Sequence, residues 1–442
     1  METAVPFRAW RYSPQAGELS DLVAPPYDVI GPELQSQLYA RSAYNVVRVD
    51  LGVTTPQDNE TDNRYTRAAR LLARWKESGI LIRDPEPTVT FVEERFVGPD
   101  GRPGVRHGFL AVMRLYDFGE GVVFPHECTL SGPKEDRYRL MEATAMSLSP
   151  VFLLYDLPGD DITVAWQAQL SQETPAAVVT DEEGTVTRLW PTADVAFLRM
   201  IMESLSGGRF IIADGHHRYE TALRYQMKQR ERGQARLVPG AHPAYDYVLA
   251  YFANLADPGL TIYATHRLLR GLDPELVRTL PERLAQYFAV ERLSQADPPA
   301  AVANFLQEHP RKAFGLWGTE LDSPYGLRLV DVSRARAAAP GHIPAYQELD
   351  VTILQTLVLE QTLGIRPEDL AAERYVTYCK GAGEAFARLA AGEFQVGFFM
   401  NPTGLDQVKE VALRGERMPQ KATFFHPKLP TGLVFHDLSG QL

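Results

Sequence analysis

Long apolar runs are missing from this 442-residue chain. None reaches the roughly 18 uninterrupted apolar residues that a membrane span needs, and the opening METAVPFRAWRYSP has no apolar signal-peptide core. The expectation is a soluble, cytoplasmic protein without membrane partners. Cysteine is scarce too. Cys128 and Cys379 are too few for a disulfide framework or a four-thiolate zinc site. Basic runs are absent, and acidic residues outnumber basic ones by 56 to 45, which argues against wrapping duplex nucleic acid. A small polar substrate suits the balance better.

What is present is ordinary globular composition, 45% apolar and 23% charged, with material for several cores. YNVVRVDL (44–51) reads as extended, and RYTRAARLLARWKESG (64–79) reads as a helix closed by Gly79. PTVTFVEERF (87–96) and HGFLAVMRLYDF (107–118) flank GPDGR, an Asp-Gly hairpin signal. SPVFLLYDL (149–157) reads as a buried strand. A helix follows with Val195, Leu198, Met202 and Leu205 on one stripe. Then come a strand (FIIA, 210–213), a helix from 218 to about 230 and a strand (YDYVLAYFANL, 245–255), the βαβ order of an α/β domain. Leu- and Ala-rich helices alternate with short strands such as FQVGFFM (394–400) towards the end. The expected organisation is mixed α/β and multi-domain, with segments 1–148, 149–270 and 271–442, and linkers near 157–190 and 291–300.

The densest chemistry sits at ADGHHRYETALRY (213–225), a strand-to-helix turn. Helix N-termini present unpaired N–H groups and partial positive charge, so phosphate is a natural guest. Gly215 lets the backbone approach a ligand, Arg218 can grip oxygens, and Asp214 can hold Mg²⁺ or orient His216 or His217. The plainer alternative makes Asp214 a cap, Gly215 a turn former and the histidines buried polar residues. Beyond the turn, Tyr219, Ala222, Leu223 and Met227 read as a core-facing stripe. A zinc site is weaker, because adjacent histidines do not share a helix face.

A second cluster, FPHECTLSGPKEDR (124–137), packs His126, Glu127, Thr129, Lys134, Asp136 and Arg137 into what reads as a loop. Glu127 can take a hydroxyl proton, and Lys134 and Arg137 can neutralise phosphate. A solvated surface run is the plainer alternative for KEDR. A nucleophilic Cys128 activated by His126 has no support beyond adjacency. APPYDVI (24–30) stiffens the approach to Tyr27 and Asp28. Asn45 and Arg48 fall on opposite pleat faces of the presumed strand. His266 and Arg267, in the tripeptide 265–267 after the strand TIYA, can line the same sheet edge as the turn. Near the end, Gln420, Lys421, His426 and Lys428 can close over an anionic ligand or simply hold the tail down.

Taken in order, APPYDVI, FPHECTLSGPKEDR, ADGHHRYETAL, the tripeptide 265–267 and MPQKATFFHPKL resemble the bacterial and archaeal family catalogued as domain of unknown function 1015. The DGHHR turn is more distantly similar to the phosphate-contacting motif of the superfamily that groups ParB nucleotide-binding domains, sulfiredoxins and free serine kinases. That resemblance implies a central ParB/sulfiredoxin-like α/β unit with N- and C-terminal α/β extensions. It also implies ATP or ADP as phosphate donor, Mg²⁺, and transfer to free L-serine or a similar hydroxyl. Asp214, His216, His217 and Arg218 would then contact phosphates, metal or the serine hydroxyl. The superfamily's glutamate base has no alignable counterpart, and Glu127 takes that role from its surroundings alone. A phosphatase on the same substrate class and a non-catalytic nucleotide-binding module stay open. So do the direction of reaction and the oligomeric state.

Overall fold

Two runs, Val151–Tyr155 and Tyr247–Asn254, are buried at every position. A strand buried on both faces belongs in the middle of a covered sheet, and both sit there. The computed structural model describes residues 3–98, 101–129, 131–159, 161–169, 172–233 and 241–442. The fold is mixed α/β and divides into two compact units. The first comprises Met1–Pro125, Thr129–Leu260 and Pro427–Leu442; the second comprises His126–Cys128 and Thr261–His426. Among the described residues no helix is long and apolar enough to cross a membrane.

The first unit is organised by a nine-stranded mixed sheet. Its strands are β1 (Ala4–Val5), β2 (Val89–Val97), β3 (Pro103–Arg114), β4 (Val123–Pro125), β5 (Val151–Tyr155), β6 (Ala177–Thr180), β7 (Val186–Thr192), β8 (Phe210–Asp214) and β9 (Tyr247–Asn254). They lie in the order β4-β8-β5-β9-β3-β2-β7-β6, with β1 on β3. The expected hairpin is β2–β3, paired from Thr90↔Leu110 to Val97↔Pro103. Asp100 of its turn lies outside the described residues. The sheet takes strands from both sides of the 148/149 border, and β6 and β7 occupy much of the stretch expected as a linker. Strand, helix and strand do follow one another from 210 to 254, yet β8 runs antiparallel to β5 while β9 runs parallel to it. The unit is therefore not a parallel βαβ crossover.

Four local expectations are corrected. The short helix α1 (Val47–Asp50) stands where a strand was expected. Val46, Val47 and Val49 are fully buried there, so packing overrides the β preference of branched residues. Asn45 and Arg48 consequently do not occupy opposite pleat faces. The presumed loop at 131–137 opens the helix α2 (Ser131–Thr144), which tolerates Pro133 in its first turn. In α3 (Val195–Leu205) the buried stripe is Phe197, Leu198, Ile201 and Leu205, and Val195 is 70% exposed. In α4 (His216–Glu231) Tyr219, Ala222, Gln226 and Gln229 face inward, which leaves Met227 outside.

The second unit carries a six-stranded sheet. Its strands are β10 (His266–Leu269), β11 (Phe288–Arg292), β12 (Ala313–Trp317), β13 (Tyr325–Leu329), β14 (Val376–Cys379) and β15 (Val396–Met400). The order is β11-β13-β12-β15-β10-β14, antiparallel throughout. His266 and Arg267 lie on β10, so they do not line the sheet edge that carries Asp214.

Candidate functional site

The site in the first unit begins with a bulge. Phe210, Ile211 and Ile212 pair with Tyr155, Leu154 and Leu153, but Asp214 pairs with Phe152, leaving Ala213 as an extra residue. Strict alternation would set Asp214 on the face of Phe210 and Ile212, both wholly buried. The bulge re-aims its carboxylate at the strand's end. Gly215 then turns the chain into α4 with φ +88°, and a Cβ there would stand 2.8 Å from Arg218 Nε. A side chain at such a position is strained, which favours glycine.

Two cations hold the re-aimed carboxylate. Lys428 Nζ donates to Asp214 Oδ1 at 2.8 Å, and Arg218 Nη2 donates to Oδ2 at 2.7 Å. Burial alone would raise the Asp214 carboxyl, but Lys428 and Arg218 outweigh it and hold the group well below the usual carboxylate range. Arg218 also donates through Nη1 to Ser149 Oγ at 2.7 Å and to the Pro150 carbonyl. His216 opens α4 and is buried; His217 is half-buried. Pro150, Phe152, Asp214, Arg218, Pro427 and Lys428 line a cleft of about 240 Å³.

The backbone just before Lys428 is anchored to the sheet. Arg106 and Glu94 face each other across β2 and β3 and are fully buried. Arg106 Nε donates to Glu94 Oε2 at 2.8 Å, and Nη2 donates to the Pro427 carbonyl at 2.8 Å. The residue before Lys428 is thus tied to the sheet centre.

A larger cleft also has Arg218 in its wall, together with Tyr27, Asp50, Arg137, Ser149 and Thr221. Arg137, expected to meet phosphate, is committed here. It donates to Asp50 Oδ1 at 3.0 Å and twice to Asp136 Oδ2, and stacks 4.1 Å over the Tyr27 ring. Asp136 also takes Arg64 and, at 2.8 Å, the Tyr65 hydroxyl. Asp28 beside Tyr27 is exposed. Thr129 and Lys134 both donate to Glu220 Oε2, at 2.8 and 2.9 Å. Asn45 holds the carbonyls of Asp21 and Val23 and caps Val47 N–H. Arg48 spends its donors on the carbonyls of Ser42 and Tyr39. Those two build the loop instead of facing either cleft.

Other expected residues fall in the second unit. Glu127 accepts the Lys421 N–H, and His126, fully buried, bonds Thr423 Oγ1 at 2.8 Å. Arg267 is buried against the carbonyls of Thr265 and Lys421, and burial lowers its pKa. His266 accepts from Met400 N–H at 3.4 Å and is pushed down to about 4 by burial and then by Arg267. His426 stacks on Tyr263 at 4.3 Å, and Gln420 is half-buried. Sequence reasoning did not single out Asp50, Ser149 or Thr221. Asp50 ends a buried valine run, a weak hint at best; the other two carry no local signal.

Among the described residues no group of three or more His, Cys, Asp and Glu gathers to hold a metal ion. Asp214 can supply one carboxylate, so a Mg²⁺ ion would depend on phosphate oxygens and water for its other ligands.

The family described as "Protein of unknown function (DUF1015)" matches residues 4–352. No curated protein matches the chain. Among solved structures, a free serine kinase in complex with AMP is 15% identical, covering 75% of this chain and 91% of that one at a TM-score of 0.37. A conserved hypothetical protein from Pyrococcus furiosus is 15% identical, covering 73% and 93% at 0.35. SbnI with a C-terminal truncation, from Staphylococcus aureus, is 9% identical, covering 73% and 85% at 0.32.

Proposed function

The chain belongs to the DUF1015 family, whose description assigns no reaction, and from its strand-to-helix turn we propose a phosphotransferase that uses a nucleotide and acts on a small hydroxylated metabolite. The observation that carries this reading is the clamp on Asp214. One carboxylate faces two cations, Lys428 and Arg218, at the positive end of α4. The two gathered cations and the helix dipole favour a phosphate group. A multiply charged phosphate competes with the carboxylate for both cations, and Asp214 would be the residue that holds a Mg²⁺ ion accompanying the nucleotide. That ion would neutralise charge on the transferred group.

Asp214 itself is a poor proton acceptor, because its carboxyl titrates far below neutral pH. Its part is to keep Lys428 and Arg218 in place before the nucleotide arrives. Free L-serine leads the acceptors to be tried, on the strength of the DGHHR resemblance. Incubation of the full chain with Mg²⁺, ATP or ADP and a panel of free hydroxylated metabolites should yield a phosphorylated product. Asp214→Ala should abolish it. No transfer to any acceptor, or unchanged product from Asp214→Ala, rejects the reading.

A further inference from the structure

We propose that the cleft beside Asp50 seats the phosphate acceptor, with the second carboxylate oxygen of Asp50 and the Thr221 hydroxyl hydrogen-bonding the acceptor's hydroxyl groups. The proposal rests on the phosphotransferase reading and adds to it the place and chemistry of the second substrate. Both atoms are buried without a hydrogen-bond partner: Asp50 Oδ2 and Thr221 Oγ1. Asp50 is 4% exposed and Thr221 1%. A buried polar atom left unsatisfied is costly, and folded proteins rarely leave two in one place. Here both belong to residues that line the same cleft, which also has Arg218 in its wall. A molecule that brings hydroxyl groups satisfies both.

The charges in the wall favour an acceptor without net charge. Asp50 and Asp136 are answered by Arg137 and Arg64, so a net charge entering there would find no counter-ion in that quartet. Two cations, Lys428 and Arg218, gather around Asp214. Arg218 lines both clefts, and Ser149 Oγ, which accepts from it, faces the larger one. An acceptor seated against Asp50 therefore lies next to the residue that would grip phosphate. Leu140, Met141 and Met146 close part of the wall with apolar surface and limit the acceptor's size.

The test is calorimetric titration of the full chain with L-serine, with glycerol and, separately, with ADP. Thr221→Val preserves shape and removes only the orphan hydroxyl; Asp50→Asn removes the charge. At least one hydroxylated probe should bind wild type, and its Kd should rise tenfold or more in both variants while the ADP Kd stays within twofold. Should Asp50→Asn fail to fold, for want of a charge to answer Arg137, Thr221→Val alone decides. No binding of either probe to wild type, or unchanged affinity in Thr221→Val, overturns the proposal. Hydroxyl binding that Thr221→Val abolishes, in a protein that transfers no phosphate, upholds the cleft and rejects the transferase. Transfer with an acceptor KM indifferent to Thr221→Val does the reverse.

Discussion

Lys428 reaches Asp214 across 214 positions of sequence, and its Nζ stands 2.8 Å from the carboxylate. The contact joins the chain's last segment to the turn that sequence alone marks as chemical. Replacing Lys428 by Met removes one of the two cations that hold Asp214 and leaves Arg218. ADP affinity should fall at least about tenfold, or about 1.4 kcal/mol, as read by calorimetry. The same pair sets an acid limb. Because the folded pKa of Asp214 is depressed, its stabilisation is present above the unfolded carboxyl value of about 4 and is lost as pH falls below it. The Tm gap between wild type and Lys428→Met should therefore narrow below about pH 4.

Gly215→Ala tests the turn. The position is left-handed, which costs a side-chain-bearing residue about 1–2 kcal/mol, and its Cβ would press on Arg218 Nε at 2.8 Å. Urea unfolding should show a loss of roughly 1–3 kcal/mol at constant m-value, together with weaker ADP binding. Wild-type stability and affinity in this variant would mean that α4 can start without the strained geometry.

Part of this site was legible beforehand. Four polar residues and a glycine where an apolar run gives way to a helical pattern are unusual enough to mark 214–218, and the alternation around Gly101 marks the β2–β3 hairpin. The bulge at Ala213 was not legible, because it depends on the register with Phe152 and Leu153. Asp50 was hidden by its neighbours: Val46, Val47 and Val49 read as a strand, and only burial beneath the loop that Asn45 ties down turns them into a helix. Lys134 and Arg137 looked like phosphate ligands because sequence cannot show that Glu220, Asp50 and Asp136 already hold them.

His107 gives the fold an alkaline limb. Its Nδ1 lies 3.4 Å from Asp257 and its Nε2 3.8 Å from Glu93. Burial alone would lower the imidazole, but Asp257 and Glu93 outweigh it and push the pKa up to about 9. A raised folded pKa contributes stability that is complete below the unfolded value of about 6.5. That contribution fades as pH rises to about 9. Discounted for partial exposure, it amounts to something on the order of 2 kcal/mol. Thermal melts from pH 6 to 10 should show wild type losing its margin over His107→Gln across that interval. A constant margin would mean that the imidazole stays neutral.

The buried pair Arg106–Glu94 separates stability from positioning. Both side chains are fully buried, so Arg106→Met alone strands a carboxylate and should cost roughly 3–5 kcal/mol in chemical denaturation. The double variant Glu94→Leu/Arg106→Met removes both charges and should recover much of that loss, since apolar replacements of buried ion pairs are often neutral. The Pro427 carbonyl recovers nothing, because its donor was Arg106 Nη2. Lys428, one residue on, then loses its anchor. The double variant should melt near wild type yet bind ADP several-fold more weakly. If ADP affinity returns along with stability, Lys428 is positioned by its own contact with Asp214 and owes nothing to the sheet.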